Sequence, residues 1–236
     1  MGLRNRIVST TISLSSTMQI KTEAQLVQEL SKGLQAAFKT NTTIKEFSAG
    51  YGIADLVFAK NYNSESQVNR EPLDNYFAVQ VALATFKNKE FTIRDVQNIT
   101  GISRSASQKI TKLLIDRGYA KATDAGYVRL KPLNKNSVKK IIAIEAKLSD
   151  WKSGIKQARR YKSFTDECYL AILGRYEKNI DYALLDECGV GLIIFDEASG
   201  KIEFKRQARK DDYLSFYEDA MGIFAKELFL SRALND

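Results

Sequence analysis

Two stretches of this chain set charge inside what would otherwise be continuous apolar strands. Gly52-Ile-Ala-Asp-Leu-Val-Phe58 is interrupted only by Asp55, and Lys140-Ile-Ile-Ala-Ile-Glu-Ala-Lys-Leu148 carries Glu145 and Lys147. At the two-residue period of a strand, Ala143, Glu145 and Lys147 share one face, while Ile142, Ile144, Ala146 and Leu148 share the other. Charge within a buried strand is costly unless the groups pair with one another or hold a cation. The chain has no histidine, so a Ser-His-Asp or Cys-His relay, a histidine base and an imidazole metal ligand are all excluded. Its two cysteines, Cys168 and Cys188, stand 20 positions apart and make no zinc site. Chemistry here therefore falls to carboxylates and lysine, and any metal to oxygen ligands and a hard ion such as magnesium, manganese or calcium. The plain alternative is a solvent-facing Glu145–Lys147 pair, or an internal ion pair in a structural or interaction protein.

The elements around these residues follow from local pattern. A helix over Thr22–Phe38 opens on a Thr22-x-x-Gln25 capping box and carries an apolar stripe of Leu26, Val27, Leu30, Leu34, Ala37 and Phe38. Glu23 falls on the stripe's side of the wheel and is expected to point inward, whereas Glu29 falls off it. Its simpler role is an acid favoured by the helix dipole. Ile44–Phe47 reads as a short strand and Ala49-Gly-Tyr-Gly52 as a turn. Trp151–Tyr161 reads as a helix with Gln157 and Tyr161 one turn apart. Cys168–Leu173, Gly189–Phe195 and Lys201–Lys205 read as strands, and Ile180–Glu187 as a helix. Asp212–Leu234 is a long amphipathic helix with Tyr213, Phe216, Tyr217, Ala220, Phe224 and Leu228 on one face. It is expected to dock on the core, with a homodimer interface as the alternative. Residues 1–20 receive no assignment.

Charge divides the chain. Of 236 residues, 36 are Lys or Arg and 28 are Asp or Glu, a net charge of +8. Residues 1–72 hold 8 basic and 6 acidic residues, 73–132 hold 10 and 5, and 133–236 hold 18 and 17. The surplus thus concentrates in a middle block bracketed by the only two prolines, Pro72 and Pro132, with polar loop signals at Asn61–Arg70 and Asn134–Ser137. We read this block as a module inserted into an outer domain, giving domains 1–71 plus 133–236 and 72–132. A basic excess points to a polyanionic partner. No apolar run is long enough to span a bilayer, and two cysteines fit a reducing, cytoplasmic setting.

Within the block, Leu73–Phe86 has helical spacing, and Thr92 caps a short helix through Ile99. Gly101 turns the chain, and Ser103 caps a third helix whose apolar stripe is Ala106, Ile110, Leu113 and Leu114. Tyr119–Ala122 and Tyr127–Leu130 read as strands around a turn. This order resembles the winged helix-turn-helix family, over residues 73–131. The resemblance implies DNA binding, with Arg104, Ser105 and Gln108 on base edges or phosphates and Lys109, Lys112, Lys121 and Arg129 on phosphates. Solvated charges on a small helical module, or a protein-docking unit, are the other readings.

The outer domain resembles the PD-(D/E)XK nuclease superfamily. Asp55 stands for its Asp and Glu145-Ala-Lys147 for its Glu-x-Lys; Ala54 replaces the proline of the family name. The long gap between Asp55 and Glu145 is taken up by the insert. Gln157 and Tyr161 are similar to the Gln-x-x-x-Tyr pair of the RecB-like branch, and Glu23 to its first-helix glutamate. The resemblance implies an α/β, restriction-endonuclease-like mixed sheet flanked by helices and a Mg²⁺- or Mn²⁺-dependent deoxyribonuclease. Asp55, Glu145 and the Ala146 carbonyl would be the metal ligands. Glu23, Asp55, Glu145, Lys147, Gln157 and Tyr161 would be the catalytic set, and Arg159 and Arg160 would be further phosphate contacts. A winged-helix DNA-binding regulator on a nuclease-like scaffold that no longer cuts is the alternative. On the charge division above, basic partner surface and catalytic centre belong to different modules.

Overall fold

The computed structural model describes residues 9–10, 19–60, 71–85, 89–131, 133, 138–210 and 216–235. The expected loops at Asn61–Arg70 and Asn134–Ser137, together with Pro132 and Tyr213, lie outside the described residues. The chain divides into two compact units, Met1–Tyr62 with Lys139–Tyr213 and Asn63–Val138 with Leu214–Asp236.

The first unit is α/β. Its strands are β1 (Ser9–Thr10), β2 (Thr43–Phe47), β3 (Ala54–Lys60), β7 (Lys140–Lys147), β8 (Glu167–Leu173), β9 (Gly191–Asp196) and β10 (Lys201–Arg206). They form one mixed sheet in the order β1-β10-β9-β8-β7-β3-β2, in which β7–β8 and β8–β9 are parallel and every other pair antiparallel. Helices α5 (Trp151–Tyr161) and α6 (Tyr182–Cys188) make the crossovers that parallel neighbours require. Helix α1 (Glu23–Phe38) begins on the expected capping box: Thr22 Oγ1 accepts from Gln25 N–H and Gln25 Oε1 accepts from Thr22 N–H, each at 3.2 Å. Its Leu26, Leu30, Leu34 and Phe38 pack on Leu56, Phe58, Ile142, Ile144 and Ala146. That contact settles the sheet's two sides. One alternate set of β3 and β7 side chains faces α1, and the other, with Asp55, Glu145 and Lys147, faces away from it. The edge strand β1 assigns part of a segment the sequence pattern leaves unassigned.

The second unit holds α2 (Tyr76–Ala84), α3 (Ile93–Thr100), α4 (Arg104–Asp116), α7 (Phe216–Asn235) and a small sheet of β4 (Glu90–Phe91), β5 (Ala120–Thr123) and β6 (Gly126–Arg129) in the order β4-β6-β5. Asn75 caps α2, so this helix starts later than the periodicity from Leu73 suggests. Leu73 instead donates its N–H to Glu227 Oε2 on α7 at 2.7 Å. The long C-terminal helix belongs to this unit. Tyr76 meets Phe224 edge-on at 5.9 Å, and Ala220, Ile223, Ala225, Glu227, Phe229 and Leu230 of α7 are buried. Of the expected stripe, Ala220 is buried and Phe224 packs on the core of this unit, while Tyr213 and the side chains of Phe216 and Tyr217 lie outside what is described. Among the described residues no helix is long and apolar enough to cross a membrane.

Candidate active site

The centre of the site is a strand pair. β3 and β7 run antiparallel with Leu56 opposite Ile144 and Val57 opposite Ala143. One step further, Asp55 and Glu145 come level at the end of the ladder, on the same face. Asp55 Oδ2 accepts the Ala146 N–H at 2.7 Å, which ties the two strands through the carboxylate. Lys147, two residues on, returns to the same face and places Nζ 2.8 Å from Glu145 Oε1 and 3.3 Å from Glu23 Oε2. The second oxygen of Glu145 accepts from the hydroxyl of Tyr161, which also lies 2.6 Å from the Ile53 carbonyl. Four side chains from α1, β7 and α5 (Glu23, Lys147, Glu145 and Tyr161) thus form one connected polar cluster, and Asp55 of β3 joins it through the Ala146 N–H.

The environment is apolar enough to change these groups. Glu145 is 3 % exposed. Burial pushes its carboxyl above the usual range, the donors Lys147 and Tyr161 work against this, and the Asp55 charge adds to it. Asp55 is likewise raised by burial, opposed by the Ala146 N–H and by Lys147. Burial works against the charge of Lys147, but Glu145 and Glu23 outweigh it and hold the ammonium above its ordinary range. Tyr161 is raised by burial and by the Glu145 charge, so it stays a phenol and a donor. Two carboxylates that resist ionisation beside a fixed cation gain from a positive ion between them.

Glu23 reaches the cluster by a different route from the one expected. It is 48 % exposed and reaches over to Lys147 from the first turn of α1. Glu29 is the acid of α1 that is buried, paired with Lys32 at 3.1 Å. Gln157 sits on α5 one turn before Tyr161, and its buried Oε1 has no hydrogen-bond partner.

Two features escape the sequence pattern. Gly154 lets α5 lie close on the sheet, since a Cβ there would stand 2.5 Å from a Leu170 methyl and 3.1 Å from Lys147 Cγ. It therefore sets the room in which Lys147 lies. Glu46, on β2 beside Asp55, takes a left-handed φ of 48° and adds to the negative field at Asp55. Side-chain identity alone gave no signal for either. Arg159 and Arg160, expected as phosphate contacts, lie exposed on α5 together with Lys152 and Lys156, which the sequence pattern does not single out, and the helix contains no acid. The even balance of residues 133–236 conceals this basic stripe, so basic surface is not confined to the other unit.

In the second unit, Arg104, Ser105, Gln108 and Lys109 lie exposed along α4, and Lys121 is exposed on β5. Lys112 is exposed as well, with its charge shared by Asp116 at 2.7 Å. Arg129 is a correction. It is 3 % exposed and gives its guanidinium to the Ala82 carbonyl and to Thr85 Oγ1 at the end of α2. Burial lowers its pKa. Alternation on β6 sends this arginine inward, where it closes the carboxyl end of a helix; it is no phosphate contact.

Oxygen donors of the right chemistry for a hard cation are present in Asp55, Glu145 and the Ala146 carbonyl, although among the described residues no group of three or more Asp, Glu or Cys converges as a ready-made cage. Magnesium commonly takes one or two carboxylates and keeps water for the rest, so this donor set fits it.

No family model matches the chain, and no curated protein matches it. A solved protein of unknown function from Silicibacter pomeroyi is similar at 12 % identity with a TM-score of 0.44, over 92 % of this chain and 90 % of that one.

Proposed function

We propose that this chain is a metal-dependent DNA endonuclease of the PD-(D/E)XK type that hydrolyses phosphodiester bonds, with a winged helix-turn-helix module that binds DNA. The observation that carries the reading is the cluster at the end of β3 and β7: two desolvated carboxylates with one lysine held between Glu145 and Glu23. The mixed sheet with α1 on one face and α5 on the other supports a restriction-endonuclease-like scaffold. Asp55, Glu145 and the Ala146 carbonyl would hold Mg²⁺ or Mn²⁺, which when bound lowers the pKa of water and offsets charge on the phosphate. Lys147 supplies a fixed positive charge where the phosphate becomes more negative, and its carboxylate neighbours keep it protonated there. Tyr161 orients Glu145 through its hydroxyl. Gln157, one turn before Tyr161 on α5, keeps its buried side-chain oxygen without a hydrogen-bond partner among the described residues. In the other unit, Arg104, Ser105, Gln108 and Lys109 on α4 and Lys121 on the hairpin form the DNA-facing surface.

Plasmid nicking with Mg²⁺ or Mn²⁺ against EDTA tests this. Wild-type protein should cleave and Glu145→Gln should not. The bonds that satisfy both Glu145 oxygens within the chain favour one second reading, a DNA-binding regulator on the same scaffold. Binding in a gel shift with no cleavage of any DNA form in either metal establishes that reading and removes the nuclease.

A further inference from the structure

The loop between β2 and β3 stands beside the carboxylate cluster and is shaped by two glycines. Gly50 and Gly52 have φ of 114° and 103°, a region other residues avoid. Gly52 lies flat on Tyr161, where a Cβ would stand 3.1 Å from Cε1, and the next residue offers its carbonyl to the Tyr161 hydroxyl. The backbone of the loop is thus pinned to α5 and, through Tyr161, to Glu145. Its two large side chains are nevertheless turned to solvent: Tyr51 is 60 % exposed and Ile53 is 61 % exposed. Asp55 follows two residues after Ile53. Single exposed apolar residues are ordinary; an aromatic and a branched residue held out by a fixed loop at the rim of a polar cluster are not.

The adjoining helix supplies the second half. Lys152, Lys156, Arg159 and Arg160 cover roughly 100° of the circumference of α5 and about 12 Å of its length, opposite the buried Gly154, Ile155, Ala158 and Tyr161. None of the four has a carboxylate partner among the described residues. The last two of these cations, Arg159 and Arg160, flank the turn of α5 that ends at Tyr161, and the loop that presents Tyr51 packs on that same Tyr161. Cations without carboxylate partners beside a presented aromatic ring are the combination that grips a single strand: cations follow the phosphates while the ring stacks on a base. In a duplex the bases are already stacked, and a ring standing off such a loop would have no face to meet.

We infer that the site takes single-stranded DNA, with Tyr51 stacking on a base next to the cleaved phosphate and the α5 cations following the backbone. The cleavage step rests on the nuclease reading; the binding does not. The test is fluorescence anisotropy of the full-length chain in EDTA with a labelled 15-residue oligo-dT and a 15-base-pair duplex, in an Arg104→Ala/Lys109→Ala background that weakens the other unit. The single strand should bind more tightly than the duplex. Tyr51→Ala should weaken it roughly tenfold and Tyr51→Trp should not. Arg159→Ala should lower the slope of log K against log salt by about 0.7. Unchanged oligo-dT affinity in Tyr51→Ala, or a preference for duplex in this background, overturns the inference. Cleavage by wild type that is indifferent to Tyr51 leaves the nuclease standing without it. Tyr51-dependent binding with no cleavage in Mg²⁺ or Mn²⁺ does the reverse.

Discussion

Replacing Tyr161 by Phe removes one oxygen from the buried cluster and leaves the ring, with its contact to Phe164 at 5.8 Å, in place. The hydroxyl has one proton to give and two acceptors within reach, the Glu145 carboxylate and the Ile53 carbonyl. A buried hydrogen bond to a charged group contributes about 1.5–3 kcal/mol. With Glu145 almost fully buried there is little water to replace it, so we expect a loss of about 2 kcal/mol at neutral pH. The sign with pH follows from the same geometry. Burial raises Glu145, and Tyr161 opposes that by favouring the ionised form. Without the hydroxyl the folded-state pKa rises further, so the penalty is full above that pKa and fades as pH falls through it. The single tryptophan, Trp151, opens α5 in the same unit, so its fluorescence in urea reports on the right part of the molecule. Wild type and variant should differ by about 2 kcal/mol at pH 8 and converge towards pH 4. A difference within about 0.5 kcal/mol at pH 8, the range of an inconsequential substitution, refutes the claim that Tyr161 holds Glu145. A penalty that does not change with pH refutes the assignment of the proton to the carboxylate.

Glu145→Gln should abolish cleavage while leaving the chain as stable as wild type or more so without metal, because it removes a desolvated charge; thermal melts with and without Mg²⁺ should show a metal-induced rise for wild type only. Lys147→Ala should instead destabilise by about 3–5 kcal/mol, since it leaves Glu145 buried without its cation, so its activity is read only beside a urea curve. Gly154→Ala improves helix propensity by about 1 kcal/mol but crowds Leu170 and Lys147, and a net loss of about 1–2 kcal/mol in the same urea assay is expected; a gain would show that α5 can shift freely. In the second unit, Arg129→Ala should lower stability by about 2 kcal/mol and leave the salt slope of duplex binding unchanged, whereas Arg104→Ala and Lys109→Ala should each reduce that slope by about 0.9.

How much of this was legible beforehand depended on how local the cause was. The capping box at Thr22 and Gln25 and the helix Trp151–Tyr161 are written in neighbouring residues, and they appear where local pattern places them. The alternation of β7 predicted that Glu145 and Lys147 share a face, and they meet at 2.8 Å. The same alternation gave no means of knowing that Arg129 turns inward, because that depends on which face of a four-residue strand α2 covers. Nor could one helix wheel place Glu29, which is buried although it falls off the apolar stripe of α1.

The sequence by itself determined the kind of chemistry open to this protein. With no histidine, residue types alone exclude an imidazole base or ligand, and the two-residue strand period joins Glu145 to Lys147. Tertiary structure decided the rest. Asp55 and Glu145 are 90 positions apart in the chain, and only the antiparallel pairing of β3 with β7 brings them level. Glu23 joins them because α1 crosses the sheet, and Tyr161 because Gly154 lets α5 lie close. The C-terminal helix joined the second unit for the same reason. An amphipathic face shows in sequence that it will be covered, but what covers it depends on contacts between segments that have no local trace.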